Sequence, residues 1–183
     1  MRQSDTNYYF CLMNLKQFFE KGDDYFLPNL SIDIVIIGYS DHQLKCLLLR
    51  IGDKWMVPGG HIKRDESVND AAKRILKIRT NLEDPHLKFL SVFGEKDRMF
   101  STELKEYFEK TGLPWKEGYW INARFVTLAY YSLVNMDNTH PALGEFDEEI
   151  SWFNMNDLPD MWMDHKSIVF EAREKLKEDI KHE

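Results

Sequence analysis

Apolar and polar positions follow two rhythms along the chain, and each rhythm predicts a class of secondary structure. Short runs rich in β-branched and aromatic residues predict strands, whereas apolar residues three or four positions apart predict helices. Strands are predicted at residues 30–38, 44–50, 55–57, 87–94, 125–134 and 148–153. Helices are predicted at residues 8–21, 66–79, 101–110 and 165–181. Because these elements do not alternate as regular βαβ units, the pattern predicts an α+β fold, an α/β/α sandwich with a mixed β-sheet.

Capping residues support two of the predicted helices. Asp65 or Ser67 suits the N-cap of the helix at 66–79, because a short oxygen-bearing side chain can accept a hydrogen bond from a free amide of the first turn. Asn81 suits the C-terminal end of the same helix. Ser101 is the expected cap of the helix at 101–110, and Gly112 is expected to end it.

Length and composition restrict the class of protein. The chain has 183 residues, which suggests one domain, and 43% of them are hydrophobic, which is ample for a packed core. The net charge of −7 argues against a surface that coats nucleic acid, because such surfaces carry clustered Lys and Arg. The longest apolar run, residues 8–13, is far shorter than the roughly twenty residues of a membrane span. With no secretory signal pattern and only Cys11 and Cys46 as cysteines, a cytoplasmic location is predicted.

The stretch that carries candidate chemistry is VPGGHIKRDESVNDAAKRILKIRTNL, residues 57–82. Gly60 is followed by Glu66 and then by Arg74, and aliphatic residues stand at Leu76 and Leu82. This spacing resembles the Nudix box, which has a glycine, a glutamate, an arginine and two aliphatic residues at these intervals. The resemblance implies that Glu66 and Arg74 pair across the loop and the helix. Gly60, Glu66 and Arg74 are what remains of the box, and the catalytic residues stay unknown.

Four positions depart from the pattern of that family. Ile75, Ile78 and Arg79 stand where the box has glutamates, and Asn81 stands where it has its late glycine. In Nudix hydrolases the glutamates hold magnesium ions that bridge a diphosphate and activate a water, and magnesium requires oxygen ligands. The substitutions change the charge at these three positions from −3 to +1. No metal is therefore expected at Ile75, Ile78 and Arg79, and Glu66 is the only box carboxylate that is retained.

The resemblance extends well beyond the box, over roughly residues 28–180. It is strongest to ADP-ribose-type Nudix proteins, and within these to the Nudix domains of Nudix-related transcriptional regulators. The expected organisation is an N-terminal helical extension at residues 1–27 and a Nudix domain at residues 28–183, with an insertion at residues 99–121. In such regulators a winged helix follows and binds DNA. No winged-helix segment is visible here, so DNA binding is expected only if one follows in the natural chain.

The expected ligand-binding residues are Arg50, Gly59, Gly60, Arg79, Asp97, Arg98 and Arg124, and of these Asp97 and Arg98 resemble a pair that lines the cleft in ADP-ribose-type relatives. Gly59 and Gly60 are expected to form a turn whose backbone amides face the ligand. Arg79 could hold an anionic diphosphate directly in place of a metal, or be a solvated helix residue. Arg124 could pair with phosphate or with an acidic neighbour.

Three other groups of residues leave alternatives open. One acidic residue before the last strand could be a general base, although a solvated loop is the commoner role; the group is Glu145, Asp147, Glu148 and Glu149. Aromatic residues of the insertion could stack on an adenine or cover a dimer interface, but packing on the core is more frequent; they are Tyr107, Phe108, Trp115, Tyr119 and Trp120. Four histidines without metal-ligand spacing are expected to be structural or at the surface: His61, His86, His140 and His165.

The residues and the family resemblance together leave three functions open. The leading expectation is a sensor or regulatory domain that binds a small phosphorylated nucleotide or sugar ligand, similar to ADP-ribose, without efficient hydrolysis. The second is a Mg²⁺-dependent hydrolase of nucleoside diphosphate derivatives whose metal ligands lie outside the box. The third is a dimeric interaction module that binds no ligand. A homodimer is expected by resemblance, no membrane partner is expected, and no cofactor is expected except Mg²⁺ if the protein is catalytically active.

Overall fold

The computed structural model describes residues 15–83, 85–144 and 147–182, so the first part of the helix predicted at 8–21 lies outside the described residues. The elements follow one another as α1 (Leu15–Lys21), a 3-10 turn (Gly22–Asp24), β1 (Phe26–Ser40), β2 (Gln43–Ile51), β3 (Lys54–Met56), β4 (Gly59–Lys63), α2 (Val68–Thr80), β5 (Lys88–Phe93), α3 (Ser101–Thr111), β6 (Val126–Asn135), a 3-10 turn (Met136–Asn138), β7 (Glu149–Asn154) and α4 (His165–His182). No helix in these ranges is both long and apolar enough to cross a membrane.

The seven strands form one mixed sheet. Its main path runs in the order β3-β2-β1-β6-β5, while β4 pairs with β1 and β7 pairs with β2. Strands β1 and β6 are parallel, with Ile32 opposite Leu128, and the other pairs are antiparallel. The mixed sheet predicted from the sequence is therefore confirmed.

Helices cover both faces of this sheet and produce two cores. On one face, α2 packs Ala71 and Ile75 against alternate residues of β1 such as Ile34. On the other face, α4 packs Ile168 and Ala172 against the intervening residues of the same strand. Because β1 is covered on both sides, its apolar run is continuous rather than alternating. The predicted α+β sandwich is confirmed.

One strand was missed, and the turn expected at Gly59 and Gly60 is wrong. These glycines begin β4, where they lie opposite Asp33 and Ile32 of β1 in antiparallel register. A Cβ on Gly59 would lie 2.4 Å from Asp33 Oδ1, so glycine permits the close approach of the two strands. Because two of the five residues of β4 are glycines, this strand lacks the alternation of apolar and polar side chains by which other strands are predicted.

The ends of helix α2 fix the position of its last turn. The Ser67 hydroxyl accepts a hydrogen bond from the Asp70 amide at 3.1 Å, as expected for an N-cap. Asn81 ends the helix in the left-handed region with a φ of 56°, and its amide donates to the carbonyl of Lys77. In contrast, the cap predicted at Ser101 is wrong, because Phe100 holds that position and makes no side-chain cap bond.

We expect Ser67→Ala to lower the free energy of unfolding by about 1 kcal/mol, because the Asp70 amide loses its cap acceptor. Ser101→Ala is the matched control and should have a smaller effect, since Ser101 caps nothing. Urea denaturation of both variants and the unchanged protein measures the difference. Equal losses in the two variants would contradict the capping role of Ser67.

Candidate functional site

A cleft of about 870 Å³ opens on one side of the sheet, beside the last turn of α2. Its floor includes residues of β1 and β4, and its opposite wall comes from α1, α3 and residues just before α4. Much of the lining is apolar and aromatic, contributed for example by Phe18, Tyr107 and Trp162. The residues retained from the box, Gly60 and Arg74, also line the cleft.

Charged side chains in the lining are mostly cationic. Four of them are basic, Arg74, Lys77, Arg79 and Arg98, whereas Asp33 is the one carboxylate among the described lining residues. Apart from Asp33, the carboxylates that pair with these basic residues do not line the cleft; they are Glu66, Glu83, Asp147 and Asp164. The surface that a ligand would meet is therefore richer in positive charge than the net charge of the chain suggests.

Glu66 and Arg74 form a clamp between the loop and helix α2, as the resemblance implies. Arg74 Nε donates to Glu66 Oε2 at 2.8 Å, Arg74 Nη2 donates to Glu66 Oε1 and to the carbonyl of His61, and the Lys63 amide donates to Glu66 Oε1 at 2.7 Å. Burial raises the pKa of Glu66, but these hydrogen bonds outweigh it and hold the pKa below its ordinary value. Both carboxylate oxygens of Glu66 are thus used within the protein.

Arg79 pairs with Asp147 at the C-terminal end of α2. Arg79 Nη2 lies 2.7 Å from Asp147 Oδ1, and the side chains are 13% and 0% exposed. Arg79 is therefore not the solvated helix residue that the sequence left open. Burial lowers the pKa of Arg79 and raises that of Asp147, while the attraction between the two opposes both shifts.

Arg98 is also buried and is held by aligned hydrogen bonds. It makes a two-pronged contact with Asp164 at 2.8 and 3.0 Å, donates to the carbonyl of Phe125 at 3.1 Å, and approaches Asp33 at 3.7 Å. Thr127 donates to Asp33 at 2.8 Å from the neighbouring strand. Arg98 and Asp33 form a hydrogen-bonded polar part of the cleft lining.

The described residues do not fit a magnesium ion in the manner of the family. Ile75 is fully buried and Ile78 lines the cleft, so neither offers an oxygen, and Glu66 is committed to Arg74 and Lys63. Throughout residues 15–83, 85–144 and 147–182, no three His, Cys, Asp or Glu side chains are grouped to hold a metal. We derive no metal-dependent step for this site.

The remaining predicted ligand-binding residues lie outside the cleft lining. Arg50 pairs with Glu148 and Glu149, Asp97 is exposed, and Arg124 donates to the carbonyls of Gly94 and Glu95. In this structure Arg124 thus contacts backbone oxygens rather than an acidic side chain. A ligand contact at Arg50, Asp97 or Arg124 stays a prediction.

The acidic group at the start of β7 is distributed over separate ion pairs. Asp147 faces Arg79, whereas Glu148 and Glu149 face Arg50. Glu145 lies outside the described residues. None of the three described carboxylates lines the cleft, so the general-base alternative gains no support from their placement.

Several residues of the cleft were missed in the sequence. Asp33 could have been found, because a lone carboxylate in a run of β-branched residues is unusual. His61, expected to be structural or at the surface, lies in the cleft wall with its ring 4.7 Å from Trp120 and 5.3 Å from Phe125. The pairing of Arg79 with Asp147 joins residues far apart in the chain, so no local signal could predict it.

The aromatic residues of the predicted insertion, residues 99–121, pack together rather than standing free. Phe108 and Tyr119 are buried with Phe19 of α1, and Trp115 packs against them. The indole of Trp120 donates to the carbonyl of Phe18 at 2.7 Å. The insertion and the N-terminal helix thus form one wall of the cleft together.

Comparison with known proteins identifies the family to which this fold belongs. The family model described as NUDIX domain matches residues 28–172. The chain therefore belongs to the Nudix family. A search of curated proteins gives no match.

Solved structures of this family superimpose on most of the chain. The NUDIX domain of Shewanella oneidensis NrtR, complexed with ADP ribose, has a TM-score of 0.60 and 22% identity, covering 93% of this chain and 98% of that one. A MutT/nudix family protein from Enterococcus faecalis has a TM-score of 0.62 and 20% identity, covering 97% and 75%. A C. elegans Ap4A hydrolase has a TM-score of 0.56 and 16% identity, covering 81% and 98%. At these identities the likeness establishes the fold.

We predict that stability falls on acidification because of His61. Burial lowers the pKa of His61 to about 4, whereas an unfolded histidine titrates near 6.5. Between these values the unfolded chain binds more protons, so the free energy of unfolding should fall as pH decreases, by at most about 1.4 kcal/mol per pH unit from this residue.

His61→Phe should weaken this pH dependence, because the variant has no group to protonate at that position. Denaturation at pH 7, 6 and 5 measures the slope, with His86→Gln as a control at an exposed histidine. The same slope in His61→Phe and in the unchanged protein would show that His61 is not the cause.

Proposed function

We propose that this Nudix domain binds a small phosphorylated nucleotide or sugar, of the ADP-ribose kind, as a sensor or regulatory domain without efficient hydrolysis. The observation that carries the proposal is the composition of the last two turns of α2. There, Ile75, Ile78 and Arg79 occupy the positions at which the family's hydrolases have metal-binding glutamates, and Arg79 forms an ion pair with Asp147. Without that metal the scissile diphosphate would lose its main electrophilic activation.

The charge and shape of the cleft support a phosphorylated ligand. Four cationic side chains and one carboxylate line it, which favours an anionic group. The aromatic wall near Tyr107 and Trp162 suits a planar base or an apolar part of a ligand. A volume of about 870 Å³ lies in the range of small-molecule sites.

The contacts that we propose are those that the fold brings to the cleft. They are Gly59 and Gly60 on β4, Arg79 at the end of α2, and Arg98 before α3. The solved NrtR domain with ADP ribose makes this compound the first ligand to test. A homodimer, a cytoplasmic location and a DNA-binding partner domain stay expectations, which light scattering, fractionation and the natural gene sequence would test.

We expect binding without turnover. Calorimetry with ADP-ribose, NADH and sugar nucleotides should find at least one ligand, and that ligand at a hundred times its Kd should stabilise the fold by about 2.7 kcal/mol. Incubation with the same compounds and Mg²⁺ or Mn²⁺ should release no product at a rate comparable to an active Nudix hydrolase assayed in parallel.

The outcomes separate the three functions. Metal-dependent turnover matching the active hydrolase would overturn the proposal in favour of a hydrolase with metal ligands outside the box. No binding of any compound, together with a stable dimer by light scattering, would overturn it in favour of the interaction module.

A further inference from the structure

The ion pair at the end of α2 leaves hydrogen-bonding capacity unused. Arg79 Nη2 and Asp147 Oδ1 are 2.7 Å apart, yet neither Asp147 oxygen has an aligned hydrogen bond. Arg79 Nε is also buried without a hydrogen-bond partner. Buried polar atoms without aligned partners are costly, because they have lost water and gained nothing equivalent. The pair is therefore held by charge and is suited to exchange for a better-aligned partner.

This property distinguishes Arg79 from the other arginines of the cleft. Arg74 directs its donors to Glu66 and to the carbonyl of His61, and Arg98 directs its donors to Asp164 and to the carbonyl of Phe125. Arg79 alone among these three has a buried, unpartnered nitrogen.

The two members of the pair face different surroundings. Arg79 lines the cleft and retains 13% exposure of its side chain, whereas Asp147 is completely buried and does not line it. The accessible part of the Arg79 side chain thus lies at the cleft. It lies at a position where the family's hydrolases have a metal-binding glutamate.

Residues 142 and 144, shortly before Asp147 in the chain, contact the last turns of α2. The Ala142 amide donates to the carbonyl of Thr80 at 2.9 Å, and a Cβ on Gly144 would lie only 2.4 Å from the carbonyl oxygen of Ile78. The carboxylate of Asp147, 2.7 Å from Arg79 Nη2, would oppose an anion that binds Arg79.

We propose that Arg79 binds a phosphate of the ligand directly, and that this phosphate displaces Asp147 as the main partner of the guanidinium. The inference rests on the proposed function, because it presupposes a phosphorylated ligand. A guanidinium can donate two parallel hydrogen bonds to phosphate oxygens, which the misaligned carboxylate does not accept. Recognition of the phosphate then needs no divalent metal, and Asp147 weakens binding.

The test measures ADP-ribose affinity by calorimetry in the presence of EDTA and in the presence of Mg²⁺. The unchanged protein should have the same Kd in both. Asp147→Asn, which keeps the shape and removes the opposing charge, should bind at least about threefold more tightly. Arg79→Met combined with Asp147→Leu removes both charges, so that none is left buried and unpaired, and should bind at least about tenfold more weakly.

Matched controls come from the pair Arg173 and Glu174 on α4, outside the cleft lining. Arg173→Met and Glu174→Gln should leave the affinity unchanged. Circular dichroism and thermal unfolding verify that each variant is folded.

The outcomes distinguish a failure of the role of Arg79 from a failure of the proposed function. If the unchanged protein binds ADP-ribose and the folded double variant binds it equally well, the role of Arg79 is overturned while the proposed function stands. Weaker binding by Asp147→Asn would overturn the exchange, and a strict requirement for Mg²⁺ would overturn metal-free recognition. No binding of any phosphorylated compound by the unchanged protein would overturn both proposals.

Discussion

The pairing of strand β1 with three other strands organises the rest of the fold. It pairs with β2, β4 and β6, and both of its faces are buried. One face receives α2 and the other receives α4, so the two cores share a single backbone. Because β4 lies antiparallel to β1, the glycines at its start and the helix that follows it are held beside Asp33. The position of the cleft is thus a consequence of how this one strand is paired.

Basic side chains line the cleft, whereas most of the carboxylates that pair with them do not line it. Glu66 holds Arg74, Asp164 holds Arg98, and Asp147 lies against Arg79. The first two partnerships are made of aligned hydrogen bonds and fix the geometry of the wall. The third is an ion pair without such alignment, at the C-terminal end of α2.

Much of the fold could be predicted from local patterns. The long apolar run of β1, the helical spacing of apolar residues in α4 and the cap at Ser67 are local signals, and the structure agrees with each. Strand β4 could not be found in this way, because its two glycines serve a close approach to β1 rather than a buried face of their own. The cap at Ser101 failed because residue type alone does not decide where the first turn begins.

At the site, the residues that match the box and those that depart from it can be identified from the sequence, because they stand at fixed spacing along one loop and one helix. The same spacing allows Glu66 and Arg74 to form a clamp, and it leaves Ile75 and Ile78 with no oxygen to offer a metal. Tertiary packing is needed to show that Arg79 is buried against Asp147, that Asp33 and His61 line the cleft, and that Arg50 and Arg124 do not. Ion pairs and burial depend on which distant segments of the chain come together. Strand pairing and helix packing bring those segments together, so the residues next to Arg79 or Asp147 in the sequence do not reveal the contact.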